Sequence, residues 1–207
     1  MNIIDISWPI SNSMSTYKNR ADMQISQIKS VAKDCVSEST IVMHSHTGTH
    51  VDAPAHFIEQ GKTIDQIPLE QLCGPCIIID CTQVNEKITK KDLQLHQELL
   101  KDQKKVLLKT KNSFCKPTEP FNTNFIFLEE SGAQFLVDCG IQTVGFDYLG
   151  IERGQQGHPT HKILLQHGII IEGLRLEHVN QGQYILYCLP LPIQKGDGSP
   201  GRAILVQ

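Results

Sequence analysis

No stretch of this sequence approaches the roughly 20 consecutive apolar residues that a membrane-spanning helix requires. No stripe of lysine and arginine is present of the kind that neutralises phosphates. Basic and acidic residues interleave, and the formal net charge is −3. The opening "MNIIDISWPI" lacks a basic region ahead of a long apolar run, so it does not read as a secretory signal. Internal repeats and low-complexity linkers are missing too. The seven cysteines are odd in number and scattered, unlike the framework of a disulfide-stapled secreted domain. These absences predict a cytoplasmic protein that engages neither membrane nor nucleic acid. The 207 residues, 40% hydrophobic and 20% charged, suit one globular domain with a sizeable core.

Apolar runs of strand length alternate with helical patterns along the whole chain. Strands are expected at "NIIDIS", "MQISQIKSV", "STIVMHSH", "CIIID", "KKVLLKT", "NFIFLE", "TVGFD", "GIIIEG", "QYILYCLPL" and "RAILVQ". Helices are expected in "TKKDLQLHQELLKDQ", opened by a capping-box-like Thr89 and Asp92, and in the stretch from Ser131 to Gly140. A third is expected from Pro159 to Gly168. The pattern is that of a single α/β domain spanning residues 1–207. Two segments read as loose connections, "NSFCKPTEPFNTN" and the region Tyr17 to Ala21.

One cysteine pair invites a redox reading. "CGPC", Cys73 to Cys76, has the spacing of thioredoxin-like thiols, which need the first cysteine at a helix N-terminus to lower its pKa. Here the pair runs into "CIIIDC", a buried strand by its pattern, so a turn entering a strand is expected.

The chemistry concentrates in "MHSHTGTHVDAPAHF", which holds four of the nine histidines. His46, His50 and Asp52 are spaced at i, i+4 and i+6. On a helix the third would point away, whereas on an extended segment all three share a face. Gly48 would leave a hollow between the imidazoles. Two imidazoles and a carboxylate form a three-ligand set for zinc or manganese, with a coordination position open for water. His56, beyond Pro54, reads as a catalytic or supporting histidine that shuttles a proton, or as a fourth ligand. His44 reads as structural or as a support to the ligands. Further along, His161 on a helix and Glu172 after three isoleucines are candidates for a second group. A carboxylate in so apolar a run needs a cation or a hydrogen-bond network. His158, His167 and His178 are rivals to His161.

"HTGTHVDAPAHF" resembles, without a gap from His46 to Phe57, the signature of the cyclase family of metal-dependent hydrolases, whose best-known branch is the bacterial kynurenine formamidases. The resemblance extends to "DISWPI", "GPCIIID", "GAQFLVDCGIQTVGFDY", "HKILLQHGIIIEGL" and "LPLPIQKGDGSPGRAIL", and so covers nearly the whole chain. It implies a barrel-like mixed β-structure flanked by helices, assembled as a homodimer or homotetramer. It further implies that His46, His50 and Asp52 bind metal, that His161 and Glu172 complete a two-metal site with Asp52 shared, and that His56 is the acid/base. Where these formamidases carry tryptophan followed by proline and glycine, this chain has Tyr17 followed by "KNR"; Tyr17 would stack on an aryl ring. Trp8 and Phe57 lie near the motifs. "GDGSPG" lacks the lysine-containing phosphate-loop pattern and resembles the family's late turn.

Together these readings predict a hydrolase with two divalent metals per chain, zinc ahead of manganese, acting on a small aryl amide of the N-formylkynurenine type. The metals would lower the pKa of bound water from about 15.7 towards 7. The alternatives are a cyclic amide or lactone as substrate, a non-catalytic domain stabilised by metal, and a thiol redox protein.

Overall fold

The computed structural model describes residues 1–21 and 23–207. Its strands are β1 (Ile3–Asp5), β2 (Gln24–Lys29), β3 (Glu38–Val42), β4 (His50–Asp52), β5 (Cys73–Asp80), β6 (Lys87–Ile88), β7 (Lys105–Lys109), β8 (Phe127–Leu128), β9 (Thr143–Phe146), β10 (Ile169–Glu172), β11 (Gly182–Pro190) and β12 (Gly198–Val206). The helices are α1 (Val31–Asp34), α2 (Leu69–Leu72), α3 (Lys90–Gln94), α4 (Gln97–Leu100), α5 (Glu130–Asp138) and α6 (Pro159–His167). No described helix is long and apolar enough to cross a membrane.

Seven strands close into a mixed barrel in the order β12-β11-β5-β7-β9-β10-β4, with β4 returning to β12. The long β12 makes this closure possible. One of its edges carries β11, and the other is divided between β4, opposite Gly198–Pro200, and β1, opposite Ile204–Val206. Strands β5, β7, β9 and β10 run parallel and have unbroken apolar runs, as strands covered on both faces should.

Alternation along these strands sorts the core into two layers. Ile78, Leu107, Ile169, Ile171, Leu186 and Leu205 fill the barrel interior together with Val51. Their neighbours Ile77, Ile79, Val106, Leu108, Phe146 and Ile170 point outward, under Ala133, Leu136, Leu164 and Leu165 of α5 and α6. The parity decides where the chemistry lies. Val51 points inward, so His50 and Asp52 point outward; Ile171 points inward, so Glu172 points outward and sits opposite His50. The cluster therefore lies outside the barrel, between its wall and α6.

Three local expectations change. "STIVMHSH" is not one strand: β3 stops at Val42, and the chain turns through Ser45–Thr49, tied by a hydrogen bond from the His44 amide to Thr47 Oγ1. The helix expected from Thr89 is two short helices, although the Thr89 amide does donate to Asp92. The two supposedly loose segments are packed on each other. The Phe121 amide donates to Asn19 Oδ1 at 2.7 Å and the Ser15 amide to the Pro117 carbonyl at 2.7 Å. Such bonds supply the partners that a regular ladder would otherwise give.

Cys73 and Cys76 both lie within β5, just after the C-terminus of α2, not at a helix N-terminus. Burial pushes the Cys76 thiol up to about 12, the opposite of an activated thiol. Replacing both with serine is expected to leave hydrolysis within about twofold of the parent. A large loss that followed the thiol redox state would restore the redox reading.

Candidate functional site

Local backbone geometry sets up the cluster. Gly48 is in the left-handed region at φ +62°, which turns its carbonyl towards His50. That positive φ strains any side chain at Gly48, and a side chain on Gly173 would meet the Gly48 carbonyl at 2.2 Å. Gly48 therefore serves the turn and its packing; it does not leave a hollow between imidazoles. The turn still delivers His46 to Asp52, through Nδ1 and Oδ1 at 2.7 Å.

His50 carries the most telling geometry. Its Nδ1 faces the Gly48 carbonyl at 2.9 Å, and a carbonyl only accepts, so Nδ1 donates and the neutral ring has its lone pair on Nε2. That Nε2 is buried without a hydrogen-bond partner, 3.3 Å from Asp52 Oδ1 and 3.4 Å from Glu172 Oε2. A lone pair facing two carboxylates is repulsive unless a cation lies between them. Burial by itself disfavours a charged imidazole, yet Asp52 and Glu172 outweigh it and push the pKa of His50 up to about 10. The group of donors thus calls for positive charge, which a divalent ion or a proton supplies. The residues fit a metal.

Around this point the other expected residues assemble. Glu172 Oε1 accepts from the Ile151 amide at 2.7 Å and lies 3.4 Å from His161 Nε2. Burial and the nearby Asp52 charge oppose its ionisation, but His161 and His50 hold its pKa down to about 2. Asp52, likewise penalised by burial, is held well below the usual carboxylate range by His46 and His50. Two triads of possible ligand atoms, each within 4.8 Å, share Asp52: His50 with Glu172, and His46 with His56. His56 stacks on His46, with ring centroids 3.9 Å apart. Burial lowers its pKa, with the Asp52 and Glu172 charges opposing.

Tyr17 lines the same cavity of about 460 Å³, as do His46, His50, His56, His161 and Glu172. Phe57 lines it too and stacks on His161 at 4.4 Å. Trp8 does not; it is buried beneath Tyr148, and its amide donates to Thr49 Oγ1.

Two residues were not anticipated. Glu152 is buried and accepts from His161 twice, from the amide at 3.2 Å and from Nδ1 at 2.5 Å, leaving Nε2 turned to Glu172. Glu152, His161 and the exposed His158 form a third group of possible ligand atoms. Asp197 lies 2.8 Å from His46 Nε2 and 3.5 Å from His56 Nδ1. It sits in "GDGSPG", where Gly198 leaves room for His46: a side chain there would come within 2.8 Å of the ring. His46 thus has a carboxylate on each nitrogen, and although burial opposes its charge, Asp52 raises its pKa. The signal for Glu152 was an acid in the loop after the apolar strand β9, and for Asp197 an acid between glycines.

Imidazoles and carboxylates converging outside a closed barrel, with a buried nitrogen lacking a partner, form the type of site that metal-dependent hydrolases use. Residues 4–153 match the family model Cyclase, described as "Putative cyclase". The chain belongs to this cyclase family. It is 35% identical over 207 residues to the kynurenine formamidase of Bacillus thuringiensis (strain Al Hakam), covering 98% of this chain and 96% of that protein. It is 36% identical over 181 residues to cyclase-like protein 3 of Oryza sativa subsp. japonica; that match covers 83% of this chain but only 66% of the rice protein. A solved structure described as a potential metal-dependent hydrolase with cyclase activity superposes with a TM-score of 0.85 at 44% identity, covering 99% of this chain and 96% of the other. Isatin hydrolase A from Labrenzia aggregata has a TM-score of 0.83 at 23% identity, covering 99% and 93%, and shares the fold.

Proposed function

We propose that the protein is a metal-dependent amidohydrolase that cleaves an N-formyl arylamine of the N-formylkynurenine type to formate and the free amine. The observation that carries this is the buried His50 Nε2, turned without a hydrogen-bond partner towards two carboxylates in a substrate-sized cavity. His46, His50, Asp52, His161 and Glu172 would hold two divalent metals, zinc ahead of manganese. When bound, such ions lower the pKa of a water towards 7 and polarise the formyl oxygen. His56 takes the proton of the attacking water. It returns that proton to the nitrogen as the C–N bond breaks, so the amine leaves neutral. Tyr17 and Phe57 flank the aryl ring. An arylamine is a weaker base than an alkylamine, so one positioned acid suffices to expel it. The seven free cysteines support a reducing, cytoplasmic setting. A homodimer or homotetramer is the proposed assembly.

The name and 35% identity of the Bacillus relative support the formamide substrate. The barrel shared with isatin hydrolase leaves a cyclic amide as the second reading. The test compares kcat/KM for N-formylkynurenine, formanilide, isatin and an aliphatic lactone at equal metal loading. The two formamides are expected to lead, and Tyr17→Ala to raise KM for both. A tenfold advantage for isatin or the lactone, about 1.4 kcal/mol in the transition state, overturns the formamidase assignment.

A further inference from the structure

The mouth of the cavity has a charge pattern that catalysis on a formyl group does not require. The carboxylates inside are partnered by imidazoles: Asp52 and Asp197 by His46, Glu152 by His161, Glu172 by His50 and His161. Lys18 and Arg20 line the same cavity, and neither forms an ion pair with a described residue. They flank Tyr17, with the Lys18 Nζ 5.1 Å and the Arg20 Cζ 5.7 Å from its ring centroid. An aromatic face holds a cation in place while leaving its outer side open to a ligand.

The backbone is bent to achieve this. Lys18 at φ 55° and Asn19 at φ 56° are consecutive left-handed residues; asparagine tolerates that conformation, but for Lys18 it is costly and persists only where its surroundings enforce it. Here they do. Asn19 Oδ1 accepts from the Phe121 amide, Thr16 Oγ1 donates to the Arg20 carbonyl, and the Tyr17 ring lies against Gly150. The turn thus fixes two cations at the entrance to a cluster whose acids are already partnered.

We infer that Lys18 and Arg20 are specificity residues that receive a carboxylate, so the preferred substrates are aryl amides bearing an anionic group on the ring or its side chain. This rests on the amidohydrolase reading above. The reacting formamide lies at the histidine cluster, and the carboxylate lies towards Tyr17, where both cations reach it. Because these side chains are exposed, their contribution is screened by salt and falls on KM more than on kcat.

Two substrates that differ only in the carboxylate isolate the effect: N-formyl-2-aminobenzoate and formanilide, assayed on the metal-loaded protein. The carboxylate substrate is expected to have at least a tenfold higher kcat/KM at low salt, with the advantage shrinking as salt is raised. Lys18→Ala with Arg20→Ala should lower kcat/KM for the anionic substrate at least fivefold more than for the neutral one, mainly through KM. The charge-conserving pair Lys18→Arg and Arg20→Lys should restore the preference. An undiminished preference in the double alanine variant overturns the inference. Calorimetric binding of 2-aminobenzoate separates the two proposals. If neither formamide is hydrolysed, the amidohydrolase reading fails, yet a tenfold weaker 2-aminobenzoate affinity in the alanine variant, at equal metal content, still supports the carboxylate site. Equal affinity sinks it.

Discussion

His50→Ala and Asp52→Ala are each expected to lose both bound metal and hydrolysis. His50 presents its Nε2 to Asp52 and Glu172 because Nδ1 is committed to the Gly48 carbonyl. Without that ring, two buried carboxylates face each other with one neutralising group fewer. Loss of a supporting residue around a metal typically lowers affinity about 10–100-fold, and loss of a ligand should exceed this. Asp52→Ala should cost more metal than His161→Ala, because Asp52 belongs to two of the ligand groups. A readout independent of turnover is thermal stability. A metal at 1,000 times its Kd stabilises the folded state by about 4 kcal/mol. For a chain of this size that is on the order of 8–16 °C in melting temperature. The parent protein should show this shift on metal addition, and neither variant should. Full metal content with normal turnover in either variant would remove the site assignment.

His56→Ala is expected to separate from those variants, keeping its metal while kcat falls about 10²–10⁴-fold. Burial holds the His56 pKa below its ordinary value, which favours the neutral ring that the proposed proton acceptor needs. His56 lies on the cavity wall, stacked on His46 and 3.5 Å from Asp197, the position that the proposed proton transfer to the departing nitrogen requires. The same geometry brings His56 within ligand distance of a group containing His46 and Asp52. Metal analysis decides between the two roles. If His56→Ala loses metal in step with activity, His56 is a ligand and another group moves the proton.

Sequence and tertiary structure contributed differently to the site. The spacing of His46, His50 and Asp52 was legible because the three are close in the chain. The prediction of one shared face was right for His50 and Asp52, which lie on a strand. It was wrong for His46, which reaches Asp52 by way of a turn. Glu172 could be marked as a special acid by its run of isoleucines, since a buried carboxylate requires compensation. Its meeting with His50 could not be read, because it depends on β4 pairing antiparallel with β10 across more than 100 residues of chain. Asp197 and Glu152 were hidden for the same reason. Each is an unremarkable loop acid until β12 closes the barrel beside β4, or α6 folds back over its wall.

The sequence by itself determined most of the longer strands, though not the short β4 and β6, through apolar runs of strand length, and the donor chemistry, through local spacing. It also determined that the Cys73 and Cys76 thiols enter a strand. Only the tertiary structure decided that the donors lie outside the barrel and not in its lumen. Inward and outward faces are assigned by strand pairing, and a single-residue shift in register would have turned His50, Asp52 and Glu172 the other way.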